Sequence, residues 1–237
     1  WFLGADGNVT DAPGGSGSAP YAADPDALPD TFYDGAGSAI WRAGTTYDWQ
    51  PLPAGTGLGF VTAPLAEDTT IMGGGVVELT IAAAADDTDL EVTLSEIRPD
   101  GTEIYVQSGW LRASRRALDE AASSELRPVL SMAEDDADAL TPGEITEVAV
   151  PLLPVAHPVR AGSRLRLTID APGNNRAEWE FRTISDGEEV TVSFGEVHPS
   201  RLVLPVVADA ITHPAPPACG SLRGQPGRPY VPAANGG

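Results

Sequence analysis

The sequence contains no lysine; its 14 basic residues are all arginine, set against 34 carboxylates, for a net charge of −20 and a pI near 4.2. That balance argues against nucleic acid as a partner, because phosphate backbones select basic surfaces. It equally argues against electrostatic docking on anionic lipid. Cysteine is nearly absent: Cys219 stands alone, so it pairs with a cysteine elsewhere or stays a free thiol. Three histidines and one cysteine show neither His-x-x-x-His nor Cys-x-x-Cys, so zinc spacing is missing. No glycine-rich loop runs from a strand into a helix, which argues against a nucleotide, and no cofactor is expected. No apolar run approaches the roughly 20 residues of a membrane span. An initiating methionine is also missing; a chain opening at Trp1 is expected to have lost an upstream part by processing or truncation.

What the sequence has is alternation. Val77, Leu79 and Ile81 alternate with Glu78, Thr80 and Ala82, and Leu90, Val92 and Leu94 with Glu91, Thr93 and Ser95. Ile104 and Val106 then stand against Tyr105 and Gln107. Strand side chains point to opposite faces in turn, so this pattern predicts half-buried strands. Arg98-Pro99-Asp100-Gly101 separates two of them as a turn, Pro presetting φ and Gly tolerating positive φ. A first strand is expected over residues 58–62. Later strands centre on Val150, Leu167, Val192 and Leu204, while residues 118–130 read as a short helix or an interrupted strand.

About eight or nine strands at sandwich-like spacing predict an all-β fold, a galactose-binding-like jelly-roll β-sandwich. It is expected over residues 56–211. An irregular arm or linker precedes it at residues 1–55, with a flexible glycine-serine stretch at 14–18. A Pro/Gly-rich extended tail follows at 212–237, ordered only if it docks.

Few residues suggest chemistry. Trp41, Tyr47 and Trp49 cluster as if to stack on sugar rings or to anchor a buried contact. The acidic run at 134–138 and Asp86, Asp87 and Asp89 read as solvated carboxylates. Arg164 and Arg166, on the polar side of one strand, suit an anion or, on so acidic a chain, pairing with carboxylates. His157 reads as structural, its ring satisfying loop carbonyls. Gly14-Gly15-Ser16-Gly17-Ser18 is the nearest string to a nucleophile elbow, but it lacks both the last glycine and a strand–turn–helix setting.

Two stretches carry a family resemblance. Pro99-Asp100-Gly101 is followed by SGWLRASRR at residues 108–116, and PGEITEVAVPLLPVAHPVRAGSRLRLTI runs from 142 to 169. In order and spacing these resemble the C-terminal β domain of the X-Pro dipeptidyl-peptidase and cocaine esterase (CocE/NonD) serine hydrolases, over at least residues 21–207. The resemblance marks Trp110, Leu111, Arg112, His157, Arg160 and Gly162 as structural motif residues. It implies a non-catalytic domain that packs on an α/β-hydrolase domain of the same protein and helps wall its substrate pocket. The Ser-His-Asp triad, cleaving acyl esters or X-Pro dipeptide bonds, would lie upstream of Trp1. A free-standing carbohydrate-binding module is the alternative. A bacterial, secreted or cell-surface location is expected, a cytoplasmic one and a homo-oligomer being left open.

Overall fold

In the strands of residues 69–112, one row of alternating apolar side chains meets a common core, and the ladders between strands follow from that requirement. The computed structural model describes residues 1–29, 33, 42, 45–173, 182–207 and 215–233. The strands are β1 (Phe2–Leu3), β2 (Asn8–Thr10), β3 (Gly17–Ala22), β4 (Gly57–Thr62), β5 (Thr69–Ala83), β6 (Asp89–Ile97) and β7 (Thr102–Arg112). They continue as β8 (Thr146–Val159), β9 (Arg164–Asp170), β10 (Glu189–Phe194), β11 (Arg201–Val203), β12 (Val206–Val207) and β13 (Gly227–Pro229).

One layer runs β13-β7-β6-β9-β4, and the short strands β2, β1 and β11 carry the ladder round to β5, β10 and β3. β8 lies along the other side of β5. Pairing is antiparallel except for β2 on β4. β7 and β8 pack face to face without sharing a ladder, which closes the layers into an all-β sandwich. Phe60 of β4 and Phe194 of β10 meet edge-on across the core with ring centroids 5.4 Å apart. Leu79, Ile81, Leu90, Leu94, Leu165 and Leu167 are fully buried around them. Each such side chain contributes about 1.5–3 kcal/mol relative to exposure, before the entropy of ordering it.

Several expectations are corrected. Among the described residues, the first 55 hold three strands, and β3 pairs along the whole of β10, so Gly17 and Ser18 sit in a ladder opposite Phe194 and Ser193 rather than in a linker. The glycines concealed this, because the pairing partner lies some 175 residues on, as the ladder shows. Residues 118–130 form neither helix nor strand but turns closed by the bridges Leu118–Leu130 and Ser124–Arg127. The tail docks: β13 pairs with β7, and the Tyr230 amide donates to Gly101 O.

The largest departure concerns faces. Glu91, Glu96, Glu103, Arg166, Thr168 and Asp170, all on the polar side of the alternation or at strand ends, are buried. β6, β7 and β9 are therefore covered on both sides, the outer one in part by the tail. His157 was expected in a loop, but β8 continues through it to Val159. Pro151, Pro154 and Pro158 are tolerated there because β8 has a ladder on one side only.

Candidate functional site

Five of the six motif residues fall in two places. Trp110, Leu111 and Arg112 end β7 and line an open cleft of about 560 Å³ with Arg115, Met132 and Arg182. His157 and Arg160, at the end of β8, line a smaller pocket of about 250 Å³ against the tail. Gly162 belongs to neither lining. It holds φ 84° in the turn between β8 and β9, where its amide donates to Leu65 O.

At the open cleft, Leu111 turns into the core and Trp110 stays half-buried at the surface, the opposite-face arrangement that period two requires. Arg112 stands directly across the ladder from Asp89. Its Nε donates to Oδ1 at 2.8 Å and its Nη2 to Oδ2 at 3.0 Å. The Ile184 amide donates to the same carboxylate. The hydrogen bonds that Arg112 donates to Asp89 raise its pKa above its ordinary value. Asp89 is thus buried and paired, not solvated, because its cross-strand neighbour is an arginine. Asp87 likewise accepts from the amide of Ser114 at 2.8 Å and from its hydroxyl at 2.5 Å, which fixes the chain just after β7. The acidic run does form an exposed 3-10 turn over Glu134–Asp136. On the rim, Met132 is 70% exposed and holds φ 55°, a backbone region unfavourable for a side chain of its kind. No periodicity could have marked Met132 or Arg182, which come from loops, or Arg115, which ends a 3-10 turn over Ala113–Arg115.

At the second pocket, His157 Nε2 lies 2.9 Å from Glu96 Oε2, and Ser163 Oγ donates to Glu96 Oε1 at 2.7 Å. Burial raises the Glu96 pKa, but the bonds from His157 and Ser163 and the charges of His157 and Arg98 outweigh it and leave it below the ordinary value. The partner of His157 is a buried carboxylate rather than the loop carbonyls expected for it. His and Ser both converge on Glu96 instead of forming a Ser–His–acid relay.

The outer face of β6, β7 and β9 holds a third group. Glu103 accepts from Arg166 Nη1, from Arg228 Nε at 2.9 Å and from Ser95 Oγ at 2.7 Å. Arg166 therefore pairs with a carboxylate, the second of its two expected roles. Arg228 lies 3.6 Å over the Trp49 ring, Trp49 packs edge-on against Tyr105, and the Tyr47 hydroxyl accepts from the Gly224 amide. Those aromatics anchor the tail, so a sugar-stacking role loses Tyr47 and Trp49; Trp41 and His213 lie outside the described residues. Among the described residues no group of three or more His, Cys, Asp or Glu is arranged to hold a metal ion. No described helix is long and apolar enough to cross a membrane.

Residues 1–203 match the family model of the X-Pro dipeptidyl-peptidase C-terminal non-catalytic domain. The chain belongs to this family. The match takes in both motif stretches and the N-terminal strands. A Mycobacterium bovis protein named as a serine esterase is 31% identical over 154 residues, which is 63% of this chain and 24% of that protein. A Mycobacterium tuberculosis protein of the same description matches equally. This C-terminal-domain chain thus spans about a quarter of the curated relatives' length. A CocE/NonD family hydrolase from Staphylococcus aureus shares its fold at a TM-score of 0.67 and 20% identity, over 87% of this chain and 36% of that one. An alpha-amino acid ester hydrolase does so at 0.57 and 19%, with the same coverage.

Proposed function

We propose that this chain is the β domain of a larger serine hydrolase of the CocE/NonD type, and that it docks on the catalytic domain through the open cleft at the end of β7. The observation that carries the reading is the cleft itself. The motif strand delivers Trp110 to a surface where Met132, largely exposed and held at positive φ, presents a second apolar side chain. An exposed methionine beside a half-buried tryptophan is suited to an interface, since both are enriched at interface cores. Arg112 and Arg182 add cationic edges, and the pairing of Arg112 with Asp89 fixes where Trp110 projects. The domain's part is to pack there and help wall the substrate pocket; the nucleophile, base and acid belong to the catalytic domain. Acyl esters or X-Pro dipeptide bonds are the substrate classes, supported by the serine esterase description of the relatives and by the family's description.

The test has two arms. Met132→Glu and Trp110→Ala in the full-length protein should lower ester turnover and loosen the domains, read as faster limited proteolysis between them, while residues 1–237 carrying either change keep their melting temperature. The 237-residue chain should take up no fluorophosphonate. Unchanged turnover and proteolysis in both variants would refute the docking face; stoichiometric labelling of one serine in the isolated chain would refute the division of roles.

A further inference from the structure

The 250 Å³ pocket between the end of β8 and the tail has a chemistry that docking leaves unused. Arg98, His157 and Arg160 line it, and no carboxylate does, on a chain whose carboxylates outnumber its arginines 34 to 14. The neighbouring acids are already engaged. Glu96 holds His157 and Ser163; Asp68 accepts from Arg160 Nη1 at 3.1 Å and from the Ala161 amide; Asp100 accepts from the amide and hydroxyl of Thr102.

The two arginines keep donors in hand. Arg98 commits Nη1 to Pro217 O at 2.7 Å, and Arg160 commits Nη1 to Asp68. The Nε–H of each is buried away from the pocket, and the Nη2 of each, which bonds nothing among the described residues, is the donor left for a ligand. A guanidinium carries five N–H donors in a fixed fork suited to a planar carboxylate. Two such groups at one pocket leave a surplus of donors that the chain does not itself satisfy. The remaining wall is apolar, with Ile104, Pro158, Pro216 and Leu222 among its members.

We propose that this pocket binds a small organic carboxylate, its charged end on Arg98 and Arg160 and its apolar body against Ile104, Pro158 and Leu222. An inorganic anion would use the arginines and leave the apolar wall without a partner. A neutral ligand would desolvate the guanidinium groups of Arg98 and Arg160 without giving them an anion, which is the costlier mismatch. The volume falls below the range typical of drug-sized ligands, so the acid is a small one. Because Pro217 and Leu222 come from the tail, the site exists only while the tail is docked. The proposal stands on this pocket alone and is independent of the docking face on β7.

Calorimetric titration of the full chain tests it, with phenylacetate as the probe, phenylacetamide as its neutral isostere and inorganic phosphate as the anion without an apolar body. Saturable one-to-one binding of phenylacetate is expected, at least about tenfold tighter than either control, as loss of a charge-assisted pair requires. Arg98→Gln and Arg160→Gln should each weaken it by about tenfold or more. Should either variant fail to fold, Ala156→Trp decides: position 156 is exposed, so the indole fills the pocket without disturbing the core and should abolish binding at an unchanged melting temperature. No saturable binding of phenylacetate, equal binding of the acid and its amide, phosphate binding as tightly, or undiminished binding in Ala156→Trp would each overturn the proposal.

Discussion

Arg166 Nη1 lies 3.1 Å from both carboxylate oxygens of Glu103, and the two side chains are 3% and 0% exposed. They face each other across β9 and β7 with β6 between them, on the side of the sheet that alternation assigns to solvent. The cover comes from the tail, whose Arg228 completes the group on Glu103 and whose Tyr230 ring lies 5.5 Å under the Arg166 guanidinium. A carboxylate so enclosed is tolerable only while both cations and the Ser95 hydroxyl surround it.

Glu103→Ala should therefore be among the most destabilising substitutions in the domain. It leaves two guanidinium groups enclosed without their shared anion, and breaking a buried pair in this way costs about 3–5 kcal/mol. Arg228→Ala removes one of two cations and should cost less. Urea unfolding of the three proteins checks the order; equal midpoints would mean that water reaches Glu103 and replaces what was removed.

Two buried acids should respond to pH with opposite signs. Burial, then the charge of Glu91, raises the Asp170 pKa well above the ordinary value despite Arg228 and Arg166, and its Oδ1 has no hydrogen-bond partner among the described residues. A raised folded pKa gives stability that is complete below the unfolded value of about 3.9 and is lost as pH rises through the folded one. Asp170→Asn should thus be more stable than the parent at pH 7, the gain shrinking towards zero as pH falls below about 4. Glu96 has a lowered folded pKa, so its contribution is present above the unfolded value of about 4.3 and is lost as pH falls through the folded one. Glu96→Gln should cost stability at pH 7 and cost less in acid. Denaturant midpoints at pH 7, 5 and 3.5 for both variants measure it, and the same sign for both would contradict the geometry.

Gly109, inside the SGWLR stretch, packs directly against the backbone of β8 at Pro151. A Cβ there would lie 1.9 Å from Pro151 O, and since the obstacle is backbone the layers must separate to admit it. Gly109→Ala should cost at least the 1–3 kcal/mol typical of overpacking, and so lower the melting temperature by several degrees. Trp110→Ala, next to it on the outer face, should cost the isolated chain much less.

These residues show how far the sequence could be read. The core rows at Leu79, Leu90, Leu94, Leu165, Val192 and Phe194 follow directly from period two, because a buried face must be filled at every second position. Ile104 and Val106 obey the same rule, yet Leu111, at an odd position, is also in the core. A register shift between Leu94 and Ser95 on β6 changes the parity of β7 between them. Nothing in the alternation marks where a bulge falls. The pairing of Arg112 with Asp89 depends on that register, and the buried state of Glu103 depends on a tail more than 100 residues away in sequence, as its bond to Arg228 shows. Both were illegible because a polar residue on a strand has the same local pattern whether water or another segment covers it. The family motifs located both clefts. Their loop-borne walls, Met132 and the prolines of the tail, needed the structure.

The tail also decides the state of Cys219. Its Sγ sits 3.8 Å from Glu103 O, and a Cβ at Gly227 would come within 2.1 Å of that sulfur, so the thiol is packed between the tail's two arms and β7. It is half-buried, and the tail docks within this chain without a disulfide. What holds it is β13 on β7, the bond from Arg98 to Pro217 O, and above all Arg228, which bonds Glu103, bonds Gln50 O and covers Trp49. The thiol then becomes reactive only when the tail lifts, and its labelling rate reports the free energy of that local opening. Hydrogen bonds to charged groups contribute about 1.5–3 kcal/mol, so Arg228→Met should speed maleimide labelling of Cys219 roughly 10- to 150-fold in the folded protein. The labelling rate in denaturant should be the same for both proteins. An Arg228→Met rate equal to the parent's in the folded state would show that the strand pairing alone docks the tail and that Arg228 is bound to Glu103 without holding the segment in place.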